Sequence, residues 1–389
     1  MFSSIYIFNF RVFFTIIYQN LKHFSFRRLL LTPVFILLFV ILFVFTLLPR
    51  LLDEIFFPNY RKKVVKDPVF IISTPRSGTT LLHRLMATDE ERFTYFLLYH
   101  CFLPSVLFYK FIRMLKRMDH ALGGTMKRFW DHVERVIFEG WKGIHNLGFE
   151  KSEEDEGLFV FTMDSPACGM FTPWFRSFSD LNIGDRKSAR WRKSLMNFYY
   201  NTLQRFLFAW GGDKQLLVKN VMSTGRIEMI LEKMPRAKVI MIMRHPYQTI
   251  PSVTSMFSKT WTVMAPDVPE HSPEFRTWGK VNIDFYRHIT ALRRTIPDKQ
   301  LLLIQYDDLV KHPEETVLDI YGHFGWEPHT AFRAKLKEAA AASKKYEVGH
   351  HYSLEQYGYN KEEIDRELKD VFDEFGFEQT EIRKMAIPS

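Results

Sequence analysis

The sequence predicts an α/β fold in which a P-loop-like parallel sheet is flanked by helices and preceded by an N-terminal transmembrane helix. Three observations support this fold class. Four short apolar runs are typical of buried strands, helical stretches lie between them, and one uncharged run near the N-terminus could cross a bilayer. The strands are predicted at 68–73, 214–219, 237–243 and 300–305, and the helices at 81–86, 224–233 and 275–295.

The N-terminal segment is interpreted as a membrane anchor. Residues 29–48 are 20 residues without a charge, which at about 1.5 Å per residue matches the ~30 Å of a bilayer's hydrocarbon core. A buried core helix is the alternative. Residues 4–18 are apolar but interrupted by polar groups, which predicts an interfacial helix, with a second short span as the alternative. We expect an anchor over 1–52, a globular domain over 53–389 and a single-pass membrane protein.

Composition and charge exclude several classes of protein. Of the 389 residues, 47% are hydrophobic, which excludes a disordered chain, and two cysteines exclude a disulfide framework. The net charge is +9, but residues 1–66 carry nine Lys or Arg against two acidic residues. The basic excess therefore favours anionic lipid as the partner rather than nucleic acid. No N-x-S/T glycosylation acceptor is present, which favours a cytoplasmic globular domain, with the Golgi lumen as the alternative.

The segment that follows the first predicted strand has the features of an anion site. Residues 73–80 read STPRSGTT and open a helix, so backbone N–H groups and the positive helix end meet at one point. A glycine allows close approach of the backbone, and the loop adds one cation and three hydroxyls: Arg76, Ser77, Gly78, Thr79 and Thr80. A capped helix start without a ligand is the alternative. The Walker pattern is absent, which disfavours a kinase or an ordinary ATPase.

The strand, the loop and the following LLHRL resemble the 5′-phosphosulfate loop of sulfotransferases that use 3′-phosphoadenosine 5′-phosphosulfate (PAPS). The resemblance covers most of the chain after residue 66, and later segments are similar to the microbial and membrane-associated branch of that family. These segments are LVKN at 217–220, AKVIMIMRHPYQTIPS at 237–252, YDDLVKHP at 306–313 and HHYSLEQYG at 350–358.

The resemblance implies the sulfotransferase fold and the transfer of a sulfuryl group from PAPS, without a metal, to a hydroxyl of a lipid-like or glycan acceptor. Arg244 and Ser252 match the residues that hold the 3′-phosphate. Physically, Arg244 ends an apolar strand, where its charge calls for an anion or, alternatively, a carboxylate at the sheet edge. Arg76 and Lys219 are the candidate catalytic cations, and Lys345 and His351 are assigned to a late loop over the nucleotide.

The general base is predicted within an acidic cluster at 150–156. Crowded carboxylates raise one another's pKa, which suits a base. Glu154 is the first choice, followed by Glu153 and Asp155; an acidic helix start is the alternative, and His145 and His100 are other candidates. The apolar residues 93–118 are interpreted as packed helix or, alternatively, as a surface near the bilayer or acceptor. A non-catalytic nucleotide-binding or scaffold protein on the same fold is the alternative function.

Overall fold

The computed structural model describes residues 5–124, 127, 132, 134, 154–343 and 353–377. Five parallel strands form one sheet in the order β2–β3–β1–β4–β5. Val69 of β1 lies opposite Leu217 of β3 on one side and opposite Lys238 of β4 on the other. The strands are β1 Val69–Ser73, β2 Phe93–Thr94, β3 Gln215–Lys219, β4 Lys238–Met243 and β5 Leu301–Gln305.

Helices surround the sheet and precede it. In chain order they are α1 Phe10–Lys22, α2 Phe26–Phe56, α3 Thr79–Met86, α4 Leu98–Phe102, α5 Val106–Ala121, α6 Glu156–Phe161, α7 Ala189–Phe206, α8 Ile227–Lys233, α9 Pro246–Ser258, α10 Trp261–Met264, α11 Pro273–Arg293, α12 Tyr306–Lys311, α13 Pro313–His323, α14 Thr330–Ser343, α15 Lys361–Glu367 and α16 Lys369–Phe375. A 3₁₀ helix, Val221–Arg226, joins β3 to α8.

Both faces of the sheet are covered, as expected for parallel strands joined by helical crossovers. Every residue of β1 is buried, and its side chains alternate between two hydrophobic cores. Phe70 and Ile72 belong to the larger core, whereas Val69 and Ile71 belong to the smaller core with α3. The central position of β1 brings its carboxyl end between those of β3 and β4, where parallel α/β sheets form their sites.

The four predicted strands are confirmed to within one residue at either end. Three predicted helices are also present, as α3, α8 and α11, although the first residues of the 224–233 prediction form the 3₁₀ helix. The interpretation of 93–118 as helix alone is wrong at its start. Phe93 and Thr94 form the short edge strand β2, because they pair with Gln215 and Leu216 of β3. A strand of two residues is too short to show an alternation of apolar and polar side chains in the sequence.

The predicted apolar helix is present but longer than the uncharged run. α2 extends over 31 residues, from Phe26 to Phe56, and its length and composition are sufficient to cross a membrane. Part of the segment predicted as an interfacial helix over 4–18 is helical as α1, which runs from Phe10 to Lys22 and is followed by a short turn into α2. The predicted boundary at residue 52 falls inside α2, whose inner face packs against the globular part of the chain.

Candidate active site

The loop between β1 and α3 has an unusual backbone. Arg76 and Gly78 both have positive φ angles, of 73° and 82°, so the chain turns back sharply before α3 begins at Thr79. The hydroxyls of Thr74 and Ser77 are 3.0 Å apart and buried. Because the first N–H groups of a helix have no partner within it, this turn directs several donors to the carboxyl edge of the sheet.

Arg244 lies directly beside this loop. It follows β4, the neighbour of β1, and its Nη1 donates to the carbonyl oxygen of Arg76 at 2.6 Å. Its Nε donates to Gln248, and its guanidinium stacks 4.1 Å from the ring centre of Tyr306. Among the described residues, no carboxylate lies within ion-pair distance of Arg244. Within the described residues, Arg244 therefore does not form the salt bridge to a carboxylate that was its alternative role.

Ser252 completes a cluster with the two arginines. It lies in the second turn of α9, and its Oγ is 3.1 Å from the Nε of Arg76. The Nη1 of Arg76 is 3.9 Å from the sulfur of Met256. Burial lowers the pKa of Arg244, and the guanidinium of Arg76 acts in the same direction. Two adjacent guanidinium groups with hydroxyl and N–H donors make this an electropositive site suited to an anion.

Lys219 and Glu154 form a second group at the same edge. Lys219 ends β3, is buried, and donates from Nζ to the hydroxyl of Thr80 at 3.2 Å. The Oε1 of Glu154 is 3.7 Å from the same Nζ. Thr80 belongs to the first turn of α3, so it links this pair to the loop. The structure thus brings together both predicted catalytic cations and the first-choice base around one turn.

The other acids of the predicted cluster have different surroundings. Asp155 is buried and accepts hydrogen bonds from Tyr199 and from Asn220, the latter at 2.6 Å. Burial raises the pKa of Asp155 to about 6. Glu156 forms two hydrogen bonds with Arg226, at 3.0 and 2.6 Å. Asp155 is therefore held in the interior by these two hydrogen bonds, and its selection behind Glu154 as a candidate base stays a prediction.

His100 is not placed as a base. It is fully buried among the rings of Tyr109, Phe206 and Trp210, and its Nδ1 accepts a hydrogen bond from the Leu97 N–H. Burial lowers its pKa well below the usual value, so it is a neutral core residue. The remaining candidates lie outside the described residues: Glu153, His145, Lys345 and His351.

Sequence reasoning assigned no role to several residues of this edge. Tyr306 directly follows β5, and its ring covers both Gly78 and Arg244. Thr224 fixes the end of β1, because its hydroxyl donates to the carbonyl of Ser73 at 2.8 Å. His83 is buried near Lys219, and burial together with that charge lowers its pKa to about 3. The available signal was the position of Tyr306 directly after β5, of Thr224 in the 3₁₀ helix after β3 and of His83 in α3.

Comparison with known proteins decides the family. The model described as "Sulfotransferase family" matches residues 68–330, which include the loop, Lys219, Arg244, Ser252 and Tyr306. The chain belongs to the sulfotransferase family. Membership confirms the predicted family and fold, and it supports sulfuryl transfer as the general reaction of this sulfotransferase.

Curated relatives and solved structures agree with this assignment. The chain is 23% identical over 325 residues to omega-hydroxy-beta-dihydromenaquinone-9 sulfotransferase Stf3 of Mycobacterium bovis and of Mycobacterium tuberculosis, covering 81% of this chain and 76% of the relative. The structure of sulfotransferase STF9 from Mycobacterium avium matches with a TM-score of 0.66 and 17% identity over 85% of this chain and 82% of STF9. The structure of sulfotransferase STF1 from Mycobacterium tuberculosis H37Rv matches with a TM-score of 0.62 and 21% identity. The match covers 84% of this chain and 83% of STF1. These structures show that the sulfotransferase fold is shared.

Proposed function

We propose that this sulfotransferase transfers a sulfuryl group from PAPS to a hydroxyl of a membrane-lipid-like acceptor and releases 3′-phosphoadenosine 5′-phosphate (PAP). The observation that carries the proposal is the contact of the Arg244 side chain with the Arg76 carbonyl. It supports a single continuous anion site formed by the β1 loop and the end of β4. A donor with phosphate groups at both ends needs two such anchors close together.

The two anchors would bind opposite ends of the donor. The N–H groups of the loop, with Ser77, Thr79 and Thr80, would bind the 5′-phosphosulfate, and Gly78 would allow its close approach. Arg244 and Ser252 would bind the 3′-phosphate, because both contact Arg76 beside the loop. Lys345 and His351 lie outside the described residues, and their assignment to the late loop stays a prediction.

In the proposed reaction, the acceptor oxygen attacks the sulfur while the bond between sulfur and the 5′-phosphate oxygen breaks. The electron pair of that bond goes to the phosphate of PAP, and the acceptor proton goes to the carboxylate of Glu154. Lys219 and Arg76 would stabilise the charge that develops on the sulfuryl and leaving oxygens. The 3.7 Å separation of Lys219 and Glu154 supports this division of roles, because base and cation face the same space.

The acceptor is proposed to be a lipid hydroxyl. The uncharged run in α2 and the many exposed apolar residues near the N-terminus favour a protein that works at a lipid surface. The curated relatives are named as sulfotransferases of a hydroxylated menaquinone, which is a lipid. Sulfation of water-soluble acceptors alone would contradict this part of the proposal.

Donor binding is tested by thermal protection of the folded protein. We expect PAP to raise the melting temperature of the wild type, and Arg244→Ala to abolish most of that rise because the 3′-phosphate loses its fork of donors. Arg236→Ala is the matched control, since Arg236 lies at the opposite end of β4 and pairs with Asp67 on the surface. No shift at millimolar PAP in the wild type would refute the proposed donor.

Transfer is tested with labelled PAPS and total membrane lipids, read by mass spectrometry. We expect labelled lipid with the wild type and a loss of roughly 10²–10⁴-fold in rate with Glu154→Gln, because the base is removed. PAP protection should remain in this variant. Full activity of Glu154→Gln would exclude Glu154 as the base. PAP binding without PAP release in any acceptor extract would favour the non-catalytic alternative.

A further inference from the structure

We propose that α2 does not cross the bilayer but lies along the catalytic domain and enters one leaflet with its outer face. The N-terminal segment and the catalytic domain are then on the same side of the membrane. This inference rests on the proposed membrane association, and it replaces the spanning arrangement that composition alone predicts. It is independent of donor binding, which is measured separately.

The N-terminal end of α2 is fixed to the catalytic domain. The guanidinium of Arg28 is almost fully buried and forms two hydrogen bonds with Asp267, at 2.6 and 2.9 Å. It also lies 5.2 Å from the ring centre of Trp174. Half of the Asp267 side chain remains exposed, so this carboxylate lies at a polar surface of the domain. The start of the apolar helix is therefore held where water or headgroups are present.

The C-terminal end of α2 is fixed as well, at a buried charge cluster. The Arg50 guanidinium, fully buried, donates to the Thr202 hydroxyl at 2.8 Å and to the Pro104 carbonyl at 2.9 Å. Asp53 accepts from the first N–H groups of α5, at 2.8 and 2.9 Å, and from the Nε of Arg205 at 2.9 Å. These bonds are in the domain interior and fix the end of the helix to α5 and α7.

The middle of α2 is also covered by the domain. Phe35 and Phe39 are buried, and both rings contact Phe171, with centres 5.2 and 5.4 Å away. Arg28 and Asp53 are 25 residues apart in the sequence, so about 37 Å of helix lies against the domain at the usual rise per residue. A hydrocarbon core is about 30 Å thick. If α2 crossed it, the domain surface beside the helix would have to lie in lipid.

The outer face of α2 is suited to lipid contact. Among the residues that the structure describes, 19 of the 27 exposed large hydrophobic side chains lie between Phe10 and Phe56. α5 packs beside α2 and adds a row of its own, so the apolar surface is continuous over two helices and far larger than single exposed side chains. Its α5 members are Leu107, Phe111, Met114 and Met118.

Basic residues around this surface indicate an anionic lipid leaflet as the partner. Lys22 and Arg27 lie near the turn between α1 and α2, and Lys110 and Lys116 lie on α5; all four are exposed. Such a rim attracts lipid phosphates at the membrane surface. A second copy of the chain would present the same positive rim and would be repelled. The apolar face and its charge therefore fit a leaflet better than a dimer.

The arrangement also connects the leaflet to the site. The N–H of Asn9, just before α1, donates to the carbonyl of Thr162 at 2.9 Å, at the end of α6. α6 follows Glu154 directly in the chain. A lipid acceptor would thus approach the base from the same leaflet that holds α1 and α2.

Cysteine labelling in sealed vesicles tests which side each part occupies. The native Cys101 and Cys168 are buried, so single exposed cysteines can be introduced as Lys22→Cys and Lys299→Cys. Inside-out and right-side-out membrane vesicles are treated with a membrane-impermeant maleimide, with detergent-permeabilised vesicles as the reference for full labelling. We expect both positions to label in the same vesicle orientation. Labelling of the two positions in opposite orientations would overturn the proposal.

Vesicle flotation tests the leaflet as the partner. We expect the double substitution Leu37→Glu and Leu48→Glu on the outer face to reduce binding to phosphatidylglycerol vesicles at least tenfold, and Lys299→Glu to leave it unchanged. The PAP-induced rise in melting temperature should be the same in all three proteins, which separates this inference from the proposed function. Flotation of the double variant like the wild type, or a dimer that does not bind vesicles, would refute it.

Discussion

At the scale of single residues, Gly78 is required by the backbone conformation of the loop between β1 and α3. Its φ of 82° is unfavourable for residues with a Cβ, and a Cβ there would lie 3.0 Å from two ring atoms of Tyr306. That ring also stacks on Arg244, so a shift of Tyr306 would disturb both anchors of the proposed donor site. Tyr306, to which sequence reasoning assigned no role, therefore restricts which side chains fit at position 78.

Gly78→Ala should lower stability by about 1 kcal/mol through its backbone conformation and weaken PAP binding at least tenfold. Gly325→Ala is the matched control. Gly325 has a φ of 66° but open space where its Cβ would be, so it should lose similar stability and keep PAP binding. Melting temperatures with and without PAP measure both effects. Equal PAP binding by the two variants would show that the contact with Tyr306 is unimportant.

Asp155 predicts how stability depends on pH. Burial raises its folded pKa from the usual 3.8 to about 6, so the folded state holds a proton that the unfolded state releases more easily. This contribution to stability is present below about pH 4 and is lost as the pH rises to about 6, for a total of roughly 2–3 kcal/mol. The stability difference between Asp155→Asn and wild type should therefore change across pH 4–6. A constant difference in urea unfolding would contradict the assignment.

At this scale, the sequence predicted which residues lie at the ends of strands, but not which distant residues contact each other in the folded protein. The family resemblance selected Arg244 and Ser252, and the loop after the first strand selected Arg76; the structure brings the three together. Asp155 could not be separated from Glu154 in the same way. Its partners Tyr199 and Asn220 are 44 and 65 residues away, and nothing local marks them.

At the scale of elements, α6 is held by one buried ion pair. Glu156 at its start forms a bidentate pair with Arg226, which also lies 3.8 Å from the ring centre of Phe159. This pair connects α6 to the 3₁₀ helix that follows β3, so it sets where Glu154 lies relative to Lys219. The proposed base is thus positioned by its neighbour two residues along the chain.

Glu156→Gln should destabilise the protein by about 3 kcal/mol or more, because it leaves the Arg226 charge buried without a counter-ion. Asp373→Asn is the control, since its pair with Lys369 is largely exposed and should change the free energy of unfolding little. Urea unfolding measures both. Similar losses of unfolding free energy in the two variants would show that the contribution of the Glu156–Arg226 pair to stability does not depend on its burial.

Helices and strands could be predicted where their sequences show a clear apolar pattern. The four long strands are continuous apolar runs, and three predicted helices are present as α3, α8 and α11. β2 could not be predicted, because two residues carry no period and are recruited by pairing with β3. Residues 93–118 combine this strand with α4 and α5, and α5 exposes apolar side chains. The surface interpretation therefore agrees with the structure better than helix packed on all sides.

At the scale of the whole molecule, α2 is part of the catalytic domain's own core. Arg205 is fully buried and pairs with Asp53 and Glu54 of α2. Apolar periodicity identified the helix but could not show which of its faces is covered, since nearly every position is apolar. Hydropathy therefore predicted an anchor over 1–52, a boundary that falls inside α2.

Removal of residues 1–56 should consequently not yield a well-folded soluble domain. Arg205 would lose both carboxylates, and the core would lose Phe35 and Phe39. We expect aggregation or a broad melting transition without a PAP response. Lys299→Glu, at an exposed position in the full chain, is the control and should melt and respond to PAP like the wild type. A truncated domain that melts cooperatively and responds to PAP like the full chain would show that α2 is dispensable for folding.

The pairing of Arg28 with Asp267 has a consequence for biosynthesis. Asp267 is synthesised 239 residues after Arg28, and at roughly 5–20 residues per second this delay is on the order of 10–50 s. During that time the partners of α2 on α5 and α7 are made, but Arg28 still lacks its carboxylate. The N-terminal end of α2, among the first segments made, can therefore take its final place only after most of the chain has been translated.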